Sequence, residues 1–262
     1  MERSMHRKSK KKFRFLRILL LLIMIVCLIP VGQAYYLSFQ HEKQQEKLRN
    51  ILVKSTEKKE PEKEILKDTE IWEKLKNLYK ENNDLIGWLT VNGTRIDYPV
   101  MQCEDDEYYL HHSFYKEKDT YGCLYVRSMA DTNTPGTNFI IYGHNMRDGS
   151  MFGTLDDYRS ESFYKDHTLI SFSTLYEERT YEILSVFTSQ IQDENAFPYY
   201  QFYQADTQEE FQYFYNNIKK ISLYDTEITA EFGDTFLTLS TCSNDTEDGR
   251  FVVVAKRRKS EK

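Results

Sequence analysis

Residues 236–259 read FLTLSTCSNDTEDGRFVVVAKRRK. Two apolar runs rich in β-branched residues, 235–241 and 251–255, flank a polar acidic stretch, the pattern of two strands joined by a loop. If residues 243–249 form that loop, Cys242 and Arg250 lie at adjacent ends of paired strands. A cysteine that closes one apolar strand and an arginine that opens the next could then face one bound substrate. The structural alternatives are a buried small hydrophobe for Cys242 and, for Arg250, a salt bridge to Asp245, Glu247 or Asp248.

Working back from this hairpin, strand patterns recur at 85–91 (LIGWLTV), 94–100 (TRIDYPV), 121–126, 138–142, 168–172 and 180–188. Asn92-Gly93, between the first two, predicts a tight hairpin turn with both residues at positive φ. Eight short strands are the number at which a closed barrel fills its own interior, so the expected fold is mainly β, a closed eight-stranded barrel. Two helices are expected around it. Ile71, Trp72, Leu75, Leu78 and Tyr79 recur at helical spacing, giving an amphipathic N-terminal helix that starts the domain near Thr69. Thr207-x-x-Glu210 forms a capping box ahead of Phe211, Phe214, Tyr215 and Ile218, so a second helix precedes the Cys242 strand.

The N-terminal region has a different character. Its first 17 residues hold eight Lys or Arg and one acid, whereas residues 18–262 hold 27 basic and 40 acidic residues, a balance of −13. Between the two lies ILLLLIMIVCLIPVG (18–32), which with the apolar residues to Leu37 is long enough to cross a bilayer core of about 30 Å. Basic residues ahead of such a span keep the N-terminus cytoplasmic. The expected organisation is a basic head (1–17), a transmembrane signal anchor (18–37), a charged stalk (38–68) interrupted at Pro61, and an extracytoplasmic domain (69–262). A cleaved signal peptide is the competing reading, since Gly32-Gln33-Ala34 offers a small-x-small site. The long basic head and the Tyr35-Tyr36 pair favour the anchor. An acidic exported domain is poorly suited to phosphate backbones, which excludes nucleic acid as a partner.

A cysteine nucleophile needs a basic partner, because the thiolate is the reactive form. His6 lies in the head and His41 in the stalk. His167 reads as an exposed loop residue, and His111 and His112 as surface or capping histidines. His144 differs: NFIIYGHNM runs an apolar strand into a glycine and presents the imidazole where the strand ends, the same kind of setting as Cys242. Arg250 could stabilise a developing oxyanion. If thiolate and imidazolium must coexist, the rate is bell-shaped in pH. Of the other cysteines, Cys27 falls in the span, and a Cys103–Cys123 disulfide is left open. The acidic loop lacks the calcium-loop pattern and no zinc spacing occurs, so no metal or other cofactor is expected.

TLSTC ending at Cys242, the downstream Arg250 and YGHN around His144 resemble the sortases, cysteine transpeptidases of Gram-positive surfaces. GWLTVNGTRIDYPVMQ, YYLHHSFYKEKDTYGCLYV and the helix before the nucleophile strand resemble class B. The resemblance implies that Cys242 attacks the threonine carbonyl of a C-terminal sorting motif on a secreted protein. His144 would move the proton of the leaving and incoming amines, and Arg250 with backbone amides would hold the oxyanion. A peptidoglycan precursor or other amine acceptor resolves the thioacyl intermediate. It further implies a peptide groove involving Leu110, Tyr142, Tyr200, Ser240 and Thr241, with Tyr199 and Phe202 near its wall. Asp106 stands where the class often has asparagine. Alternatives are a pilin-polymerising sortase, another exported Cys/His peptidoglycan enzyme, or a non-catalytic anchored adhesin.

Overall fold

The computed structural model describes residues 2–57, 67–243 and 248–259. These divide into two compact units, 1–47 and 48–262. Helix α1 (Glu2–Glu57) runs through the apolar segment with Pro30 inside it. Among the described residues it holds the one stretch, Phe15–Ser55, long and apolar enough to cross a membrane. Pro61 lies outside the described residues.

The second unit is built on a closed barrel. Its strands are β1 (Leu85–Thr90), β2 (Asp97–Met101), β3 (Leu124–Tyr125), β4 (Asn138–Tyr142), β5 (Leu169–Thr174), β6 (Glu178–Gln190), β7 (Phe236–Cys242) and β8 (Gly249–Arg257). Around the barrel the order is β1-β2-β3-β4-β7-β8-β6-β5, and β5 pairs with β1 to close it. All eight expected strands are present. Helices α2 (Lys67–Glu81) and α4 (Gln208–Lys220) occupy the two expected positions, and a short helix α3 (Glu161–Asp166) is added before β5.

Period-2 alternation decides which residues fill the barrel. Leu237 and Leu239 of β7, with Phe251, Val253 and Ala255 of β8 and Phe139 and Ile141 of β4, belong to the interior cluster. Their neighbours Phe236, Val252 and Val254 face outward into a second cluster, which α4 covers with Phe211, Phe214 and Ile218. Each such fully buried Phe or Leu stabilises the fold by about 1.5–3 kcal/mol. The capping box forms as expected: Thr207 Oγ1 accepts from the Glu210 amide and Glu210 Oε2 accepts from the Thr207 amide, both at 3.2 Å. On another flank, Leu75 and Leu78 of α2 pack with Leu48 of α1, Trp88, Met101, Tyr109, Phe114 and Cys123. Residues 48–57 thus form one unit with the barrel.

Two expectations are corrected. The β1–β2 connection is not a two-residue turn, because Thr90 pairs with Asp97 and only Gly93 of the Asn-Gly pair takes a positive φ, +80°. Thr94 Oγ1 donates to the Val91 carbonyl and accepts from the Ile96 amide, so a side chain organises this wider loop. His167 is not an exposed loop residue. Its ring stacks on Phe163 at 4.0 Å, its Nδ1 lies 2.9 Å from the Phe163 carbonyl at the end of α3, and the side of the ring abuts Gly93.

Candidate active site

Strand β4 runs parallel to β7 with Tyr142 opposite Ser240, and β7 runs antiparallel to β8 with Cys242 opposite Arg250. The alternation that sends Ile141, Leu239 and Phe251 inward sends Tyr142, Ser240 and Val252 outward. One pleat further, Cys242 and Arg250 keep this outward parity, and His144 follows two residues beyond the end of β4. The chains stay side by side beyond β4: the Gly143 amide donates to the Ser240 carbonyl (3.3 Å) and Thr241 Oγ1 donates to the Gly143 carbonyl (2.7 Å). Three adjacent strands therefore deliver an imidazole, a thiol and a guanidinium to one end of the outer face.

Local backbone features fix each of the three. A Cβ at Gly143 would sit 2.4 Å from Leu124 and 3.0 Å from Phe152, so the chain entering His144 passes where no other residue fits. His144 is then held at both ends. Its carbonyl accepts from the Phe152 amide (2.9 Å) and its Nε2 donates to the Leu110 carbonyl (2.8 Å), on the 3₁₀ turn Tyr108–Leu110. Cys242 is exposed. The Ser243 amide donates to the Gly249 carbonyl (2.8 Å), which makes Cys242 and Arg250 a non-hydrogen-bonded pair, the arrangement in which opposed side chains lie closest. Arg250 Nη1 donates to the Gly249 carbonyl (2.9 Å). Because the Ser243 amide is engaged, it does not face a reacting carbonyl. Of the carboxylates suggested for Arg250, Asp245 and Glu247 lie outside the described residues.

An aromatic and cationic floor surrounds these groups. Tyr125 stacks on Tyr142 at 5.7 Å and the Arg127 guanidinium lies over the Tyr142 ring at 5.4 Å. Burial pushes the phenols of Tyr125 and Tyr142 above their ordinary range. Burial opposes the charge of Arg127, but Tyr142, Tyr203 and Asp106 outweigh it and raise its pKa. Asp106 also accepts from the Ser128 amide at 2.6 Å, tying the chain leaving β3 to this floor. Tyr199 is pushed up to about 12 by burial, against the pull of Ser240 and Arg250, and its hydroxyl meets Ser240 Oγ at 2.7 Å.

The expected groove residues separate into two kinds. Leu110, Tyr142 and Tyr200 are half-buried; Leu110 meets His144 and Tyr142 lies opposite Ser240, whereas Tyr200 packs against the cluster that α4 covers. Ser240 and Thr241 are 1% and 2% exposed, and both hydroxyls are spent inside the fold, on Tyr199 and on Gly143. They set the strand's position and do not line a groove with free polar groups. His112 stacks on Tyr108 at 4.0 Å and His111 lies at the surface, its ring 6.3 Å from that of His144. Cys103 and Cys123 are both free thiols.

The sortase domain model matches residues 89–258, which include His144, Cys242 and Arg250. The sequence is 34% identical over 192 residues to sortase B of Listeria monocytogenes, covering 71% of this chain and 75% of the relative. The chain belongs to the class B sortases. Its fold matches two sortase B complexes. The Staphylococcus aureus sortase B–substrate complex shares 27% identity with a TM-score of 0.74, over 86% of this chain and 99% of that one. A sortase B complexed with triglycine shares 26% identity, also at 0.74, over 86% and 100%. This sortase is accordingly a cysteine transpeptidase of the kind that anchors proteins to the cell wall.

Asn145 and Asp156 escaped the sequence reading. Asn145 Nδ2 donates both to Asp156 Oδ2 (2.7 Å) and to the Cys242 carbonyl (2.9 Å). The one available signal was adjacency, since asparagine directly follows the histidine in YGHN.

Proposed function

We propose that this sortase, anchored in the membrane by the apolar part of α1 with its barrel outside the cell, cleaves a C-terminal sorting motif of secreted proteins after its threonine and passes the acyl group to a cell-wall amine. The observation that carries the reading is that exposed Cys242 pairs with Arg250 across β7 and β8, next to the end of β4 from which the chain enters His144.

The Cys242 thiolate attacks the threonine carbonyl, and the carbonyl electrons move onto oxygen. Arg250, on the paired strand, donates to that oxyanion, a contribution of about 3 kcal/mol for a well-placed donor. Collapse expels the amine of the following residue, which takes a proton from His144, and leaves a thioester on Cys242. A second amine then enters, gives its proton to His144 and displaces the sulfur, so an amide replaces the thioester and the thiolate returns. His144 Nε2 donates to Leu110 in the resting arrangement, so the Tyr108–Leu110 turn orients the ring. Tyr125, Tyr142 and Arg127 form the floor against which the motif lies. The complex of a related sortase B with triglycine supports a small, unhindered amine as acceptor. The basic head and the single apolar span support a cytoplasmic N-terminus.

The test is incubation of the full chain with fluorogenic sorting peptides and a triglycine acceptor. Peptide cleaved after threonine and joined to the acceptor is expected, with turnover lost in Cys242→Ala and kept in Cys103→Ala and Cys123→Ala. Turnover surviving in Cys242→Ala, or no cleavage across a library of five-residue motifs, would contradict it.

A further inference from the structure

The peptide unit that follows Cys242 is gripped at both ends. Its carbonyl accepts from Asn145 Nδ2 at 2.9 Å and its N–H, that of Ser243, donates to the Gly249 carbonyl at 2.8 Å. The remaining hydrogen of the Asn145 amide goes to Asp156 Oδ2 at 2.7 Å. On its other oxygen, Asp156 meets the Arg159 guanidinium at 3.3 and 3.4 Å, and Arg159 Nη2 reaches Ser243 Oγ at 3.2 Å. The Arg159 guanidinium also lies 4.8 Å from the Phe251 ring centroid, against β8.

We infer that Asn145 is a positioning residue for the transpeptidation, acting through the Cys242–Ser243 peptide, and that Asp156 orients it. This rests on the reading of Cys242 as nucleophile. A carboxamide nitrogen has two hydrogens, which is the number needed to bridge a carboxylate and a backbone carbonyl. A carboxylate at 145 could donate to neither. Asp156 also selects the orientation of the amide, because the flipped form would set the Asn145 carbonyl oxygen against two acceptors. The ion pair with Arg159 contributes little energy, since both side chains are about a third exposed. What the network supplies is geometry: with both ends of the peptide fixed, the Cα–Cβ vector of Cys242 has one direction relative to Arg250 and His144. A displacement of about 1 Å at a reacting atom costs on the order of 10²-fold in rate.

The test exchanges the two side chains. Asn145→Asp alone opposes two carboxylates and should lower both Tm and kcat. In the double variant Asn145→Asp with Asp156→Asn, the new amide donates to the new carboxylate and the pair is restored, but position 145 presents oxygen to the Cys242 carbonyl. The expected result in the full chain is a wild-type Tm with kcat still lower by about 10- to 100-fold, KM within about twofold, and slower alkylation of Cys242 by iodoacetamide. Recovery of kcat and alkylation rate together with Tm would overturn the inference and leave a merely structural pair. If the exchange does not restore Tm, Asn145→Ala decides, since it sets no charges facing: kcat lost at unchanged KM supports the role, and unchanged kcat overturns it. The alkylation rate needs no peptide, so a wild-type chain that reacts at Cys242 yet joins no peptide would sink the proposed reaction while the ratio of alkylation rates still judges Asn145.

Discussion

Cys242 and Cys123 are two thiols of one barrel with opposite settings. Cys123 is 3% exposed, packed with Leu75, Leu78, Trp88, Tyr109 and Phe114, and burial, with Asp119 adding to it, pushes its thiol far above the ordinary range. It is held as a small hydrophobe. Cys242 closes a strand whose preceding six residues are all buried, yet is itself exposed. Neighbouring chains on both sides fix its backbone, one through Gly143 and Asn145 and the other through Gly249. In the proposed reaction the nucleophile is the thiol at which packing ends, and the residue type alone does not confer that role.

The largest expected effect separates the two thiols outright. Cys242→Ala should lower kcat by at least about 10⁴-fold, whereas Cys123→Ala should leave the rate within about threefold and show its cost in Tm. That cost is about 1 kcal/mol for a methyl-sized void, measured by thermal unfolding. Equal activity losses in both would break the comparison. Next in size is the guanidinium paired with Cys242. Arg250→Lys keeps the charge but loses the planar fork, and kcat should drop about 10²- to 10³-fold while the melting curve stays in place. A change confined to KM would assign Arg250 to uniform peptide binding instead.

The packed flank that holds Cys123 is sharpened by Asn82. Its Nδ2 donates to the Tyr109 hydroxyl (2.8 Å) and to the Phe114 carbonyl (2.7 Å), and Tyr109 donates to Asp84 (2.6 Å). Asn82→Leu leaves the buried Phe114 carbonyl without that donor and should cost about 1–3 kcal/mol in stability. Because Tyr109 belongs to the turn whose Leu110 carbonyl receives His144, kcat should fall more than KM rises in this variant. Kinetics at fixed temperature would reveal whether the flank and the site are that closely joined.

The smallest effect lies at the far edge of the barrel. Burial pushes the Glu177 carboxyl up, but Arg179 and Arg257 together bring it below its ordinary value. A depressed folded pKa stabilises above the unfolded pKa of about 4.3 and is lost as pH falls through the folded value. Glu177→Gln should therefore lower Tm by a few degrees at pH 7 and by progressively less below about pH 4. A difference that persisted at pH 2 would assign Glu177 a role other than its charge.

How much of this was legible follows from the range of each signal. The strands were readable because β-branched runs such as FLTLST and FVVVA carry their own periodicity, and α4 because its capping box is local. The pairing of Cys242 with Arg250 was readable because a single loop joins them. The Asn92-Gly93 turn misled because Thr94 engages Val91 and Ile96, a contact that opens the loop beyond two residues. His167 misled because its neighbour Phe163 stacks on it only once α3 exists. Ser240 and Thr241 were legible as positions beside Cys242, but which hydroxyl faces inward depends on the strand's place in the barrel and on Tyr199 from a distant loop. The bridge from Asn145 to Asp156 and Cys242 spans chain separations of 11 and 97 residues, and no motif announces it.

Timed alkylation of the folded full chain, with modified cysteines located by mass spectrometry and transpeptidation assayed in parallel, addresses the central claim most directly. Loss of activity should track modification of Cys242 one for one while Cys123 reacts only after unfolding. Inactivation that tracked Cys103 or Cys123, or full activity with Cys242 already alkylated, would contradict the account.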